Sequence, residues 1–212
     1  MNRFVVEKTG RKRYNTKKAN RGGGIALEKI FLGYWNVSVI LTYAELLCAV
    51  EGIFLSAEGR PVAAILCLMI CGVCDMFDGK IARATKRSAD ACLFGIQIDS
   101  LCDLVSFGVL PSAIGHAFGV TGWGKAILAL YTLMALVRLG YFNVSEQKRQ
   151  QETTENRHVY EGLPVTTSAL ILPLLPLLRK WIGAKFAKLY TLVLGIMAVL
   201  FISRIRVKKP QI

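Results

Sequence analysis

Acidic residues are scarce in this 212-residue chain: 14 Asp+Glu stand against 27 Lys+Arg, a formal charge of +13, and charged residues of all kinds reach only 19%. With 53% hydrophobic residues and a mean hydropathy of +0.43, so little charge excludes a disordered chain and argues against an ordinary soluble enzyme. Histidine is rarer still. Neither His116 nor His158 has a carboxylate or serine companion at a telling spacing, so histidine-based nucleophilic catalysis finds no support. The six cysteines (Cys48, Cys67, Cys71, Cys74, Cys92, Cys102) lie mostly inside apolar stretches, which excludes a disulfide-stapled secreted fold and reads them as reduced, buried small hydrophobes. Cys71-x2-Cys74 has neither a second CxxC nor a nearby histidine to complete a zinc site. No internal repeat is present, and low complexity is confined to Gly22-Gly23-Gly24.

What the chain does have is long apolar runs. Six of them span or nearly span a bilayer, at about 35–57, 61–82, 94–118, 123–144, 164–180 and 186–204. They lack strict alternation and each approaches the ~20 residues needed to cross ~30 Å of hydrocarbon, so helices are expected rather than barrel strands. An even number places both termini on one side. Lys and Arg crowd the N-terminal arm, the 80–93 loop, the 145–163 loop and the tail, which makes that side cytoplasmic by the positive-inside rule. Arg179, Lys180, Lys185 and Lys188 disagree, because they cluster between the fifth and sixth runs on the opposite side. Residues 1–34 carry nine Lys/Arg against Glu7 and Glu28, with no apolar core or cleavage site directly after the charges. They form a basic arm that faces anionic lipid rather than nucleic acid, not a signal peptide, and the amphipathic Ile25–Leu32 lies in the interface. The expected architecture is an all-α integral membrane protein of six transmembrane helices with an N-terminal basic arm and interfacial helix. Its parts are the arm and juxtamembrane helix (1–34), a six-helix membrane domain (35–206) and a cytoplasmic tail (207–212).

Ionisable groups inside a membrane helix cost at least ~2.5–3.5 kcal/mol each, so a cluster of them marks function. Asp75 and Asp78 sit at i, i+3 near the end of the second run, and Asp99 and Asp103 at i, i+4 in the third. Each pair therefore shares one helix face, and a short loop between the runs brings both pairs to a similar depth. Four facing carboxylates repel and call for divalent cations, and all-oxygen ligation favours Mg²⁺ or Mn²⁺. Gly79 and Gly95 leave room for a bulky anionic ligand, and Arg83 offers a bidentate fork suited to phosphate. A carboxylate not needed for ligation is free to take a proton from an attacking hydroxyl, and Asp103, farthest along its helix, is the candidate.

Asp75-x2-Asp78-Gly79-x2-Ala82-Arg83-x11-Gly95-x3-Asp99-x3-Asp103 resembles the signature of the CDP-alcohol phosphatidyltransferases, a six-helix membrane family using two metal ions. Eleven residues separate Arg83 from Gly95 where eight are usual, and the extra three fall in the polar stretch around Lys86–Asp90. The flanks are similar to the phosphatidylserine synthase branch: Asp99-Ser100-Leu101-Cys102-Asp103, Ser106-Phe107-Gly108 with Pro111, Arg138-Leu139 with Phe142-Asn143, and Gly162-Leu163-Pro164. The resemblance covers about residues 38–180. It implies a CDP-diacylglycerol-type liponucleotide as donor, L-serine as acceptor and CMP as leaving group, in a homodimer embedded among membrane lipids with its active site facing the cytoplasm. It assigns metals to Asp75, Asp78, Asp99 and Asp103, and CDP with its pyrophosphate to Gly79, Ala82, Arg83 and Gly95.

The acceptor side is less legible. Arg138, near the end of the fourth run, suits the serine carboxylate or a lipid phosphate, with Asn143 and Ser106 as neighbours that could face the acceptor. Arg138 also reads as an interfacial arginine, and Ser106 at least equally as a helix-packing serine. Glu45 lies well inside the first run with no evident partner. Two alternatives stay open: another acceptor within the family, glycerol 3-phosphate or an inositol phosphate, and a cation or proton transporter built on the same aspartates.

Overall fold

The computed structural model of the chain describes residues 32–85, 88–152, 159–204 and 206–208. The expected interfacial helix and most of the basic arm lie outside them, as does His158. Helix α1 (Val37–Ala57) is opened by Asn36, whose side chain accepts from the Val39 amide at 3.2 Å, and α2 (Pro61–Ala84) begins with a proline, which needs no N–H at that position. Helix α3 (Ala89–Asp103) is capped by Ser88, whose hydroxyl oxygen accepts from Ala91 N at 3.2 Å. The α2–α3 connection is therefore only residues 85–88, shorter than the polar loop expected at 80–93. Ala89 and Asp90 are helical because Ser88 is a good N-cap and Asp90 favours the positive end of the helix dipole.

The third run is not one regular helix. After Asp103 a π-helical turn, Leu104–Val109, precedes α4 (Leu110–Ala117). Pro111 cannot donate to the carbonyl of Phe107, and the Tyr131 hydroxyl does so instead at 2.7 Å. Thr132 Oγ1 likewise donates to Gly108 O at 3.0 Å. Helix α5 (Trp123–Glu152) supplies both of these side chains and continues eight residues beyond the apolar run, into what the sequence reads as loop.

Beyond a two-stranded antiparallel pairing of β1 (Val159–Glu161) with β2 (Arg206–Lys208), the last apolar region runs from Val165 to Ile202. It comprises α6 (Ser168–Ile171), α7 (Leu175–Ile182) and α8 (Phe186–Ile202), with tight 3-10 turns at Val165–Thr167, Leu172–Leu174 and Gly183–Lys185. Pro173 lies in the second turn, and Gly183, at φ +57°, ends α7. Five helical segments are long and apolar enough to cross a membrane: Val37–Ala57, Pro61–Ala82, Ala89–Ala117, Trp123–Gln147 and Val165–Ile202. The last, at 38 residues, would be about 57 Å long if straight, nearly twice the ~30 Å of a hydrocarbon core. It folds back instead: Leu163 N donates to Leu200 O at 3.1 Å, so its two ends lie side by side. The basic cluster at the Gly183 turn sits with the end of α4, where the Arg179 guanidinium lies 5.4 Å from the Phe118 ring centroid and Phe118 packs on Phe186 at 4.8 Å.

Helix α1 packs closely along α2, and α5 along α8. Small residues seat α1 against α2 and α2 against α6. A Cβ on Gly52 would lie 3.0 Å from Cys67 Cβ, and one on Gly72 would lie 2.6 Å from Ala169 Cβ. Cys48 and Cys71 direct their thiols at the backbone carbonyls of Cys67 and Glu45, at 3.6 and 3.5 Å. The outer faces expose Leu47, Leu101, Leu177 and Val199, as an apolar solvent permits.

Candidate active site

One stripe of α1 decides which polar groups meet α2 and α3. Ser38, Thr42, Glu45, Ala49, Gly52 and Ser56, spaced alternately four and three residues apart, are all buried. Small residues at its far end let the helices approach, and its near end presents a hydroxyl and a carboxylate to the aspartates.

Asp75, Asp99 and Asp103 converge: each offers a carboxylate oxygen within 4.8 Å of the others. Asp78, one turn on from Asp75, is buried and accepts from Thr42 Oγ1 at 2.9 Å. An open cleft beside them is lined by Ser38, Thr42, Asp78, Gly79, Ala82, Gly95 and Asp99. Asp99 thus belongs both to the carboxylate cluster and to the cleft wall. Arg83 follows Gly79 by about one turn of α2, but its side chain lies outside the described residues.

The donor set fits a divalent cation. Oxygens from two antiparallel helices can approach one centre, and Asp103 Oδ1 is buried without a hydrogen-bond partner, which is costly for a carboxylate in the absence of a cation or a proton. Asp75, Asp99 and Asp103 can therefore hold one metal ion, with Asp78 held by Thr42 at the cleft beside them.

The acceptor-side residues separate. Ser106, in the π-helical turn, is fully buried with an unpartnered hydroxyl. Asn143 braces α5 against α3: its Oδ1 accepts from Ser100 Oγ at 2.7 Å, and its Nδ2 lies 3.5 Å from Gln97 Oε1. Arg138 lines a different cleft with Val137, Tyr141, Phe201, Ser203 and Arg204, and its Nε donates to Leu163 O at 3.3 Å. Two groups escape a motif-based reading. Thr42 orients Asp78 across 36 residues of sequence, and Glu45 belongs to the same field of charge as Asp75, Asp78 and Asp99. Their shared signal is the four-and-three spacing from Ser38, which puts polar residues on the face that also carries Ala49 and Gly52.

Among curated proteins, a CDP-diacylglycerol–serine O-phosphatidyltransferase of Saccharomyces cerevisiae is 41% identical over 116 residues, 53% of this chain and 41% of the relative. The protein of the same name from Helicobacter pylori strain 26695 is 29% identical over 173 residues, 79% of this chain and 69% of that one. An archaetidylserine synthase of Methanothermobacter thermautotrophicus is 33% identical over 120 residues, 56% of this chain and 48% of the relative. The chain thus spans between two fifths and about two thirds of these proteins. The profile of one family matches residues 35–203, which include all five apolar helical segments and the four aspartates. A multi-pass membrane protein whose aspartates, glycines and cleft fall within that match belongs to the CDP-alcohol phosphatidyltransferase family.

Proposed function

We propose that the protein transfers a phosphatidyl group from a CDP-diacylglycerol-type liponucleotide to L-serine, releasing CMP. The observation that carries this reading is the meeting of Asp75, Asp99 and Asp103 at the edge of a cleft lined by Asp78, Gly79, Ala82 and Gly95. The names of the yeast and Helicobacter relatives support serine as the acceptor.

Asp75, Asp78, Asp99 and Asp103 would hold two Mg²⁺ or Mn²⁺ ions, which when bound neutralise phosphate charge and polarise the phosphorus. Gly79, Ala82 and Gly95 give the pyrophosphate close access to the helix backbones, and Arg83 lies on the same helix to meet phosphate. Asp103 takes the proton from the serine hydroxyl. The hydroxyl oxygen then forms a bond to the lipid-bearing phosphorus, the bond from that phosphorus to the CMP oxygen breaks, and CMP leaves. Ser106 lies beside the base on the acceptor side, Asn143 holds Ser100 next to Asp99, and Arg138 offers a cation to the serine carboxylate or a lipid phosphate.

In this reading the fold-back at Gly183 makes the last segment two crossings, for six in all, and both termini and the active site face the cytoplasm. The basic arm (1–34) lies against anionic lipid, 35–206 is the catalytic domain, and two copies associate as a homodimer. The test is CMP release by purified protein given CDP-diacylglycerol and Mn²⁺, with serine, glycerol 3-phosphate or inositol phosphate offered separately. Serine-dependent release that is lost in Asp103→Asn supports both acceptor and base. Release with only another acceptor overturns the acceptor, and no release with any of them overturns the transferase reading.

A further inference from the structure

Glu45 is fully buried in α1, and both of its carboxylate oxygens lack a hydrogen-bond partner. Among the described residues, no lysine or arginine is one of the charged groups that act on it. Those groups are Asp75, Asp78 and Asp99, all of its own sign, and the donor that faces it is the Ser106 hydroxyl, beyond the distance of a close hydrogen bond. Ser106 is itself fully buried with no close partner for its hydroxyl, and Asp103, three residues earlier at the end of α3, has an unpartnered buried oxygen, Oδ1. Glu45 also acts electrostatically on Asp103, so the three groups occupy one neighbourhood.

A carboxylate held among like charges with one neighbouring hydroxyl is expensive in its charged form unless a proton, a cation or a set of donors compensates it, and a cationic ligand supplies both charge and donors. The metal positions do not answer this need, because Glu45 is not one of the carboxylates that converge within 4.8 Å. The ligand chemistry can be read from the acceptors left open. An ammonium group has three donors and no acceptor. Glu45 Oε1, Glu45 Oε2 and Ser106 Oγ are three acceptors, and Asp103 Oδ1 is a fourth, suited to a hydroxyl proton.

We infer that Glu45 and Ser106 form the cation subsite of the acceptor pocket, binding the α-ammonium group of an amino alcohol while its hydroxyl is presented to Asp103. The inference rests on the proposed transfer to serine and adds the source of its selectivity. The ammonium and hydroxyl of serine are separated by two carbons, short enough for both to be gripped by neighbouring side chains. An anionic acceptor such as glycerol 3-phosphate would bring its phosphate against the Glu45 carboxylate, which lies outside the metal cluster. The analogue L-glycerate keeps the carboxylate and configuration of L-serine, offers a hydroxyl where serine has the ammonium, and would leave Glu45 unpaired.

The test has two arms. On the wild-type protein with CMP and Mn²⁺, L-serine is expected to raise the thermal midpoint while L-glycerate at equal concentration does not. Equal stabilisation by both overturns the inference without any variant. In the second arm, Glu45→Gln is expected to raise the KM for serine about 100-fold, with kcat changed far less and the CMP-dependent stabilisation retained. Its preference for serine over glycerate is expected to collapse, and Ser106→Ala is expected to raise the KM by less. An unchanged serine KM in Glu45→Gln overturns the subsite, and so does loss of CMP-dependent stabilisation, which would place Glu45 with the metal ligands. Failure of the wild-type protein to release CMP with serine counts instead against the proposed function itself.

Discussion

Buried polar groups behave differently in two regions of the bundle. Where α4, α5 and α8 meet, the Tyr131 hydroxyl donates to Phe107 O at 2.7 Å, the Tyr190 hydroxyl donates to Pro111 O at 3.0 Å, and Ser112 and Thr132 lie 2.9 Å apart, hydroxyl to hydroxyl. Where α1, α2 and α3 meet, Glu45, Asp103 and Ser106 are as deeply buried, yet their oxygens find no such partners. A net hydrogen bond is worth about 1 kcal/mol, but leaving a buried polar group unmade costs about 1–3 kcal/mol and more for a charge. The first region spends its polar atoms on repairing helix breaks. The second holds three such groups open beside the aspartates, as a site that meets a ligand does, whereas beside Tyr131 only the Ser168 hydroxyl is left so.

The largest expected effect on this contrast comes from chelation. EDTA should abolish CMP release and the stabilisation of the protein by CMP, and Asp75→Asn should do the same; a CMP-induced thermal shift that survives chelation would break the contrast, since the open carboxylates would then owe nothing to a bound cation. Next, Asp103→Asn should lower turnover by about 10²–10⁴-fold, as loss of a general base does, while its thermal midpoint without ligands holds or rises because a neutral amide replaces a buried carboxylate. A fall in both would make Asp103 a structural group like Tyr131.

Tyr131→Phe should show the opposite pattern, losing about 1–3 kcal/mol of stability because the Phe107 carbonyl is left unpaired. Substrate KM values should stay within a few-fold, and denaturation in detergent set beside steady-state kinetics separates the two effects. The smallest effect is expected from Thr42→Val. Losing one hydrogen bond to Asp78, worth about 1 kcal/mol, should raise the KM for the liponucleotide about 5-fold and leave that for serine unchanged.

Much of this arrangement was legible in the chain. The apolar runs anticipate the spans to within a few residues at most ends, and the i, i+3 and i, i+4 spacing of the aspartates anticipates that they share faces. The ends that moved did so for local reasons: Ser88 starts α3 five residues before its apolar run, and the polar residues after Val144 continue α5 because nothing there breaks a helix. The turn after Asp103 was not legible, because a π-helical turn has no hydropathy signature and is fixed by Pro111 and by Tyr131, 20 residues further on. Thr42 and Glu45 were visible as residues but not as partners of anything, since the groups they face lie on other helices. Arg138 was legible as a candidate for the acceptor, but not its bond to the carbonyl of Leu163, which lies 25 residues away on another segment.

The sequence by itself determined that the chain is a membrane protein, roughly where it crosses, and which carboxylates travel together on a helix. Each of these follows from local quantities, the length of an apolar run and the 100° turn per residue. Only the tertiary structure decided that Asp75 meets Asp99 and Asp103 while Asp78 turns to Thr42, and that Glu45 and Ser106 end up buried side by side. Those pairings depend on how closely the helices approach and how they are rotated about their axes, and that is settled by small residues such as Gly52 and Gly72 against distant neighbours. Spacing along one helix cannot express a distance between two.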